Sequence, residues 1–384
     1  IVWLILPFLL PFLNATPLDT ESDLPPYLKG FGWKNVEKEL RKDLRLTSSV
    51  RPISYSIDLD VSVRGYRGAK RSTFDGSVLI GLNVSSTTDR IELHSVGLNI
   101  KKAELTLSSS IVRIIKTEYN RERETVIFTL AQPLQPTVLA QLKIHYNGTS
   151  QMRGIGLYES WTKNKIYSLL PTISLVSNCE PNGARRWFPS FDEPDKKATF
   201  RLRVVHPMQL SAYSNTAGTT KRIFSSLSET TFIQTVPLPT YVVALALSEA
   251  PVVELKHNGQ NIRVIGTKRS YIVNDLTRSI DYVKSRPALK NITFIPEKTD
   301  WMLIEDFPVG AMENPGLITS SHSSTSKSIQ IHELAHMYFG NLVTLRSWEQ
   351  IWINEGFASY FQTYQTLYKT YTYHVCLKIG LDTT

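Results

Sequence analysis

From about Leu44 to Ala250 the chain is a succession of short runs, among them YSIDLDVSV, GSVLIGLNV, TVIFTL and LKIHY, separated by Gly, Asn, Ser and Pro. Apolar and polar residues alternate with a period of two in runs such as YSIDLDVSV and LKIHY. That period puts alternate side chains on opposite faces of an extended strand and does not suit a helix. The expected outcome is an antiparallel β sandwich or saddle. After Pro251 the pattern becomes mixed: VNDLTRSIDYVKSR reads as a helix and DWMLIEDF as a strand. No internal repeat stands out, and the one biased tract is the Ser-rich SSHSSTSKS.

The second region carries the chemistry. IHELAHMYFG sets His332 and His336 one helical turn apart, with Glu333 directly after the first. Residues four apart on a helix have Cβ atoms roughly 5–6 Å apart, so two imidazoles can converge on one ion at about 2.0–2.1 Å. Glu333 then lies beside the ion without ligating it. The bland alternative is a helix with two unrelated histidines.

A catalytic metal site needs a third protein ligand and an open fourth position. SWEQIWINEGFASYFQTY offers Glu355. At helical period Glu355 shares a face with Ile351, Trp352, Ala358 and Ser359, which would turn a carboxylate toward an apolar interior. Such burial is costly without a partner, and a metal ion is one. Gly340 and Asn341 mark where the first helix should stop and the chain reverse. A solvent-facing Glu355 is the alternative.

With these residues in view the chain resembles the M1 family of zinc aminopeptidases, the gluzincins. The likeness rests on HELAH, on the NEGFASY glutamate separated from the second histidine by eighteen residues, and on GNLVT between them. GAMEN, from Gly310 through Ala311, Met312 and Glu313 to Asn314, resembles the family's exopeptidase signature, and CEPNGARRWFPSFDEPDKKATF resembles the segment carrying its second amine-binding acid, here Glu180. The likeness runs from about Leu44 to the end of the chain.

The resemblance implies a multidomain architecture: an N-terminal antiparallel β domain (44–250), then a thermolysin-like α+β catalytic domain (251–384) that is incomplete at its C-terminus. It implies one zinc ion per chain, held by His332, His336 and Glu355, with Glu333 as general base, and peptide substrates whose free N-terminus is gripped by Glu180 and Glu313. The chain also departs from the family. The link PGLITSSHSSTSKSIQI between GAMEN and HELAH is short, with Pro315 where members have Trp, so the zinc helix is expected to start late. Met337 and Tyr338 replace Gln and Trp, and Ser347 replaces an aromatic. The family's transition-state Tyr lies beyond Thr384, and Tyr360, Tyr364, Tyr368, Tyr371 and Tyr373 are not matched to it. The chain thus reads as part of a longer gene product, or as a truncated, inactive relative that keeps a peptide-binding pocket.

Composition fits a secreted or cell-surface protein. Residues 1–15, IVWLILPFLLPFLNA, are an apolar run without an initiator Met, readable as a cleaved signal or as part of a membrane anchor. Residues 16–43 read as a linker. Asn14, Asn83, Asn147 and Asn291 begin N-x-[ST] sequons. Cys179 and Cys376 are the only cysteines; one bridge between them, or an unpaired Cys179 with a partner for Cys376 beyond Thr384, are both open. The net charge of +9 is spread over scattered Lys and Arg, with no basic run interleaved with aromatics, so no nucleic-acid partner is expected. The oligomeric state has no signature.

Overall fold

The computed structural model describes residues 45–364, apart from 47–48, 67, 152–153, 163–171, 288, 290 and 293–295. The apolar leader, the linker, Asn14, Cys376 and the last three of the five tyrosines therefore lie outside the described residues.

The alternating runs become strands with one buried row. In β1 (Val50–Ser62) Tyr55, Ile57, Leu59 and Val61 point inward, and in β2 (Thr73–Val84) Phe74, Val78, Ile80 and Leu82 do the same. With β3 (Thr88–His94), β4 (Asn99–Leu107), β5 (Ser110–Val112), β6 (Ile114–Asn120), β7 (Thr125–Leu134) and β8 (Thr137–Thr149) they form most of two sheets. The larger is completed by β11 (Thr199–Pro207), β13 (Gly218–Phe224) and β14 (Leu227–Phe232), in the order β13-β14-β11-β1-β2-β8-β4-β5, and the smaller is β3-β7-β6. A third sheet joins β9 (Gly156–Thr162), β10 (Thr172–Asn178), β12 (Ser211–Ser214) and β15 (Leu245–Ser248). These sheets share one continuous core.

The expectation of a β sandwich or saddle holds, with one departure from the antiparallel pattern: β1 and β11 run parallel, Ser54 opposite Thr199 through Asp60 opposite Val205. The chain returns to pair with β1 only after nine intervening strands, entering β11 from the third sheet by a crossover through residues 179–198, so no hairpin imposes an antiparallel pairing. That crossover is the CEPNGARRW segment.

The mixed region is a five-stranded sheet of β16 (Val252–His257), β17 (Gln260–Ile265), β18 (Lys298–Ile304), β20 (Leu317–Ser321) and β19 (Ala311–Met312), in that order. Strands β17, β18 and β20 are mutually parallel. One face of this sheet, with Ile265, Met302, Ile304 and Leu317, joins the β core. The other, with Ile262, Val264, Trp301, Leu303 and Ile318, joins a second core under the helices. All seven residues of β18 are consequently buried, as expected of a parallel strand covered on both sides.

Helix α1 (Ser270–Lys284) packs on that second core through Ile272, Leu276, Ile280 and Val283, spaced at the helical period. Helix α2 (Lys327–Ala335) lies against α1: Ser279 Oγ donates to Gln330 Oε1 at 2.9 Å, and Lys327 pairs with Asp275 at 3.2 Å. A third helix, α3, spans residues 351–364. No helix among the described residues is long and apolar enough to cross a membrane.

Candidate metal and amine site

Helix α2 begins in the last residues of the Ser-rich tract. Ser326 is its N-cap and accepts a hydrogen bond from Ile329 N. The short link from GAMEN therefore leaves a helix that starts with a proper cap and is braced by α1. Its regular part ends at Ala335, earlier than the Gly340–Asn341 stop read from sequence. Hydrogen-bonded turns carry the chain on to Val343, with Asn341 N donating to His336 O, and the reversal uses Gly340 at φ +128°.

This arrangement brings His332, His336 and Glu355 together. The two Nε2 atoms are 3.2 Å apart; Glu355 Oε2 is 3.2 Å from His332 Nε2 and its Oε1 is 3.5 Å from His336 Nε2. Behind each ring lies an acceptor: Gln362 Oε1 at 2.9 Å from His332 Nδ1, and Phe339 O at 3.1 Å from His336 Nδ1. Each Nδ1 is placed to donate behind its ring, so each Nε2 faces the same point as the Glu355 carboxylate. A proton or a metal ion has to sit between the two nitrogens and the carboxylate there. The donor set, two imidazoles and one carboxylate, suits zinc.

The electrostatics agree. Burial pulls the His332 pKa down, but the hydrogen bond to Glu355 and the charge of Glu333 outweigh it and lift the pKa to about 9. Burial pushes Glu355 up, but His336 and His332 overcome it and hold the carboxyl below its usual range. These three groups are close enough together to hold a cation.

Glu355 itself is placed differently from the sequence reading. The buried stripe of α3 is Asn354, Ala358 and Phe361, whereas Trp352 is 54% exposed and Ser359 faces solvent. Glu355 lies one position off that stripe, at the lip of the cleft, with 46% of its side chain exposed. It reaches the histidines from the rim rather than from an apolar interior.

Three more acids surround the triad. Glu333 is buried, and burial raises its pKa to about 7 against the opposing pull of His332 and His336. Glu313 is buried, its Oε1 unpaired and 4.0 Å from His336 Nδ1; burial, partly offset by His336, raises its pKa. Burial, then the charges of Glu313, Glu355 and Glu333, push Glu180 well above the usual carboxyl range. Glu313, Glu333 and His336 also lie close enough to suggest a second cation site. One histidine cannot serve two such ions here, because the His336 Nδ1 proton is committed to Phe339 O.

The loop carrying Glu180 is fixed by buried ionic bonds. Arg185 Nε donates to Asp192 Oδ2 at 2.9 Å, one terminal nitrogen to Glu124 Oε2 at 2.9 Å and the other to Asp192 O at 3.1 Å. Thr240 Oγ1 donates to the other Asp192 oxygen at 2.6 Å, and Asp192 N donates to His94 Nδ1. A Cβ at Gly183 would lie 2.4 Å from Asn178 O, so the turn requires glycine. Cys179 is buried, donating to Val243 O and accepting from Trp187 Nε1.

The GAMEN residues divide. Ala311 and Met312 form β19, the outer strand of its sheet, opposite Ser320 and Thr319; Met312 is core, and Gly310 O accepts from Ser321 N. Asn314 turns inward to Thr319 Oγ1, and the Glu313 carbonyl accepts from Asn341 Nδ2 at 2.9 Å. Of the five, only Glu313 presents a charge to the triad.

Sequence reasoning missed Gln362, Asn354 and Tyr241, and read Asn341 only as a helix stop and not as the donor to the Glu313 carbonyl. Gln362 was within reach of it: seven residues past Glu355, it falls on the same side of the helix. Tyr241 was not, because it arrives from more than ninety residues before His332.

A capped helix bearing two histidines, a carboxylate from the next helix, two buried acids and the half-buried Glu180 make a set of groups that could hold a metal ion. Sequence comparison agrees. The profile of the Peptidase M1 N-terminal domain matches residues 51–242, and that of the Peptidase family M1 domain matches residues 271–379. The chain belongs to peptidase family M1. It is 29% identical over 350 residues to glutamyl aminopeptidase of Sus scrofa, covering 84% of this chain and 36% of that protein. It is 33% identical over 364 residues to aminopeptidase Q of Mus musculus (85% and 64%), and 30% identical over 342 residues to aminopeptidase N of Haemonchus contortus (83% and 35%). The chain thus spans from about a third to under two thirds of these relatives.

Proposed function

We propose that this protein is a zinc-dependent aminopeptidase, removing the N-terminal residue from peptides. The observation that carries the reading is the convergence of two Nε2 atoms and the Glu355 carboxylate on one point, each histidine anchored at Nδ1 from behind. Zinc bound there would polarise the scissile carbonyl and lower the pKa of a water toward about 7. Glu333, buried beside the histidines, takes the proton of the attacking water and passes it to the leaving amine; a base with a pKa near 7 suits both transfers. Glu180 and Glu313 form the anionic end of the cleft and hold the α-ammonium of the substrate. The outer edge of β19 offers main-chain groups to an extended peptide.

Membership of a family whose named relatives are aminopeptidases supports the same reading. Entry into the secretory pathway, to the cell surface or outside it, is part of the proposal. Asn83 and Asn291 are exposed in their sequons, as glycan attachment requires.

The test is metal analysis and cleavage of amino-acid anilides by the purified protein. Stoichiometric zinc, activity lost to a chelator and restored by zinc, and no cleavage of N-acetylated substrates are expected. Activity indifferent to chelation removes the metal reading. Peptide binding without turnover favours the alternative of a non-catalytic peptide-binding protein.

A further inference from the structure

Tyr241 reaches the cleft from a short 3-10 turn, Thr240–Val242, that follows Pro239. It is 1% exposed, and its ring stands edge-on to Trp348 with centroids 5.0 Å apart at 70°. Its hydroxyl meets none of the described residues in full hydrogen-bond geometry, and the Asn354 amide is the side chain that comes near to bonding it. A Cβ added to Gly340 would lie 3.3 Å from Tyr241 Oη and 3.1 Å from Asn354 Nδ2, so both groups face the bare backbone of the Gly340 turn. Burial raises the phenol pKa well above its usual value, the charges of Glu313, Glu180 and Glu355 add to this in that order, and the Asn354 amide opposes it. The hydroxyl is therefore neutral, and it feels the charge of all three carboxylates.

Other buried polar atoms here are unpaired as well: Glu313 Oε1, Asn341 Oδ1 and Asn354 Nδ2. Buried polar groups in folded proteins are nearly always satisfied. Several unpaired together, in one cleft, mark a place completed by something that enters it. A primary ammonium donates three hydrogen bonds and seeks three acceptors. Glu180 and Glu313 supply two.

We infer that Tyr241 is the third acceptor of the amine pocket, its Oη receiving one N–H of the substrate's α-ammonium while its own O–H turns to a neighbouring carboxylate. The inference rests on the aminopeptidase reading above. It adds a neutral group to a pocket of acids. Two carboxylates alone would grip any small cation, including a lysine side chain or a metal ion. A hydroxyl fixed against Trp348 supplies the third direction of a tetrahedral ammonium and so selects a primary amine at one position.

The experiment compares competitive inhibition by a dipeptide amide and by its des-amino analogue, using the full protein with zinc bound. The wild type should favour the free amine strongly. Tyr241→Phe, which removes one oxygen, should reduce that preference about tenfold, raising KM for anilides with kcat changed less, and with zinc content and Tm unaltered. A purely structural role would weaken both inhibitors equally, and that result overturns the inference. If the wild type itself shows no preference for the amine, the pocket of Glu180 and Glu313 is wrong, a failure of the underlying reading. If Glu313→Ala loses the preference and Tyr241→Phe keeps it, Tyr241 alone is wrongly assigned. Should the Phe variant fold poorly, the structure of the wild type with the dipeptide amide decides: the amine nitrogen within hydrogen-bond distance of Tyr241 Oη supports the inference, and a nitrogen out of reach ends it.

Discussion

At the scale of single residues, charge state separates role from position. Glu333 and Glu355 are twenty-two residues apart and share the same histidines, yet burial raises one to about 7 and the histidines hold the other low. On the proposed function Glu333→Gln should lower kcat by about 10²–10⁴-fold with zinc still bound. Normal turnover in that variant would dismiss Glu333 as the base. A second residue tests stability rather than catalysis. His206 is fully buried, donating from Nδ1 to Pro207 O and accepting at Nε2 from Thr230 Oγ1. Burial lowers its pKa below 6.5, with the Pro207 bond opposing. The unfolded chain therefore binds a proton first as pH falls. The stability His206 contributes is whole above about pH 6.5 and declines as pH drops toward the lower folded value. Thermal melts from pH 7.5 to 5.5 should fall more steeply for the wild type than for His206→Gln. Parallel slopes would show that the ring titrates alike folded and unfolded.

Elements decide how these residues meet, and here the sequence was only partly legible. Period-two runs marked the strands, and the HELAH and NEGFASY spacings marked the histidine helix and its partner, because both patterns are local. The parallel pairing of β1 with β11 was hidden, since alternation states which face is buried and says nothing of the neighbouring strand. The stripe of α3 was misjudged for a related reason. Trp352 is as apolar as Ala358, and only packing makes one exposed and the other buried. The crossover through residues 179–198 shows what an element without regular structure needs. Arg185 is buried, and among the described residues its acidic partners within 4.0 Å are Asp192 and Glu124. Asp192→Ala leaves that guanidinium short of its closest partner and should cost about 3–5 kcal/mol, with the Glu180 loop loosened. Urea denaturation measures it, and a loss below about 1 kcal/mol would mean Glu124 alone suffices.

For the molecule as a whole, the five-stranded sheet is shared between two cores, and a buried cation fastens it to the sheet beside it. Lys298 Nζ donates to Ser214 O, Gly316 O and Asp300 Oδ2 at 2.7, 2.6 and 2.7 Å, while Arg263 pairs with both Asp300 oxygens. Asn215 adds bonds to Val242 O and Pro315 O. Burial lowers the Lys298 pKa, with Asp300 countering it. Lys298→Ala strands two carbonyls and half of an ion network, at about 3–5 kcal/mol. Because the cores share strands, that loss should appear as one earlier cooperative transition. Two separated transitions would show that the cores unfold independently.

Strand β18 has no outward side. In β1 every second position looks to solvent or to the sheet edge, whereas Lys298, Thr299, Asp300, Trp301, Met302, Leu303 and Ile304 are all enclosed, and Trp301 even commits its Nε1 to Ser320 Oγ. The two strands should therefore diverge in how freely their letters can change. A scan of every substitution, scored for soluble protein, should give β1 a record of tolerance that rises and falls at alternate positions, and β18 a flat one in which all seven positions resist replacement.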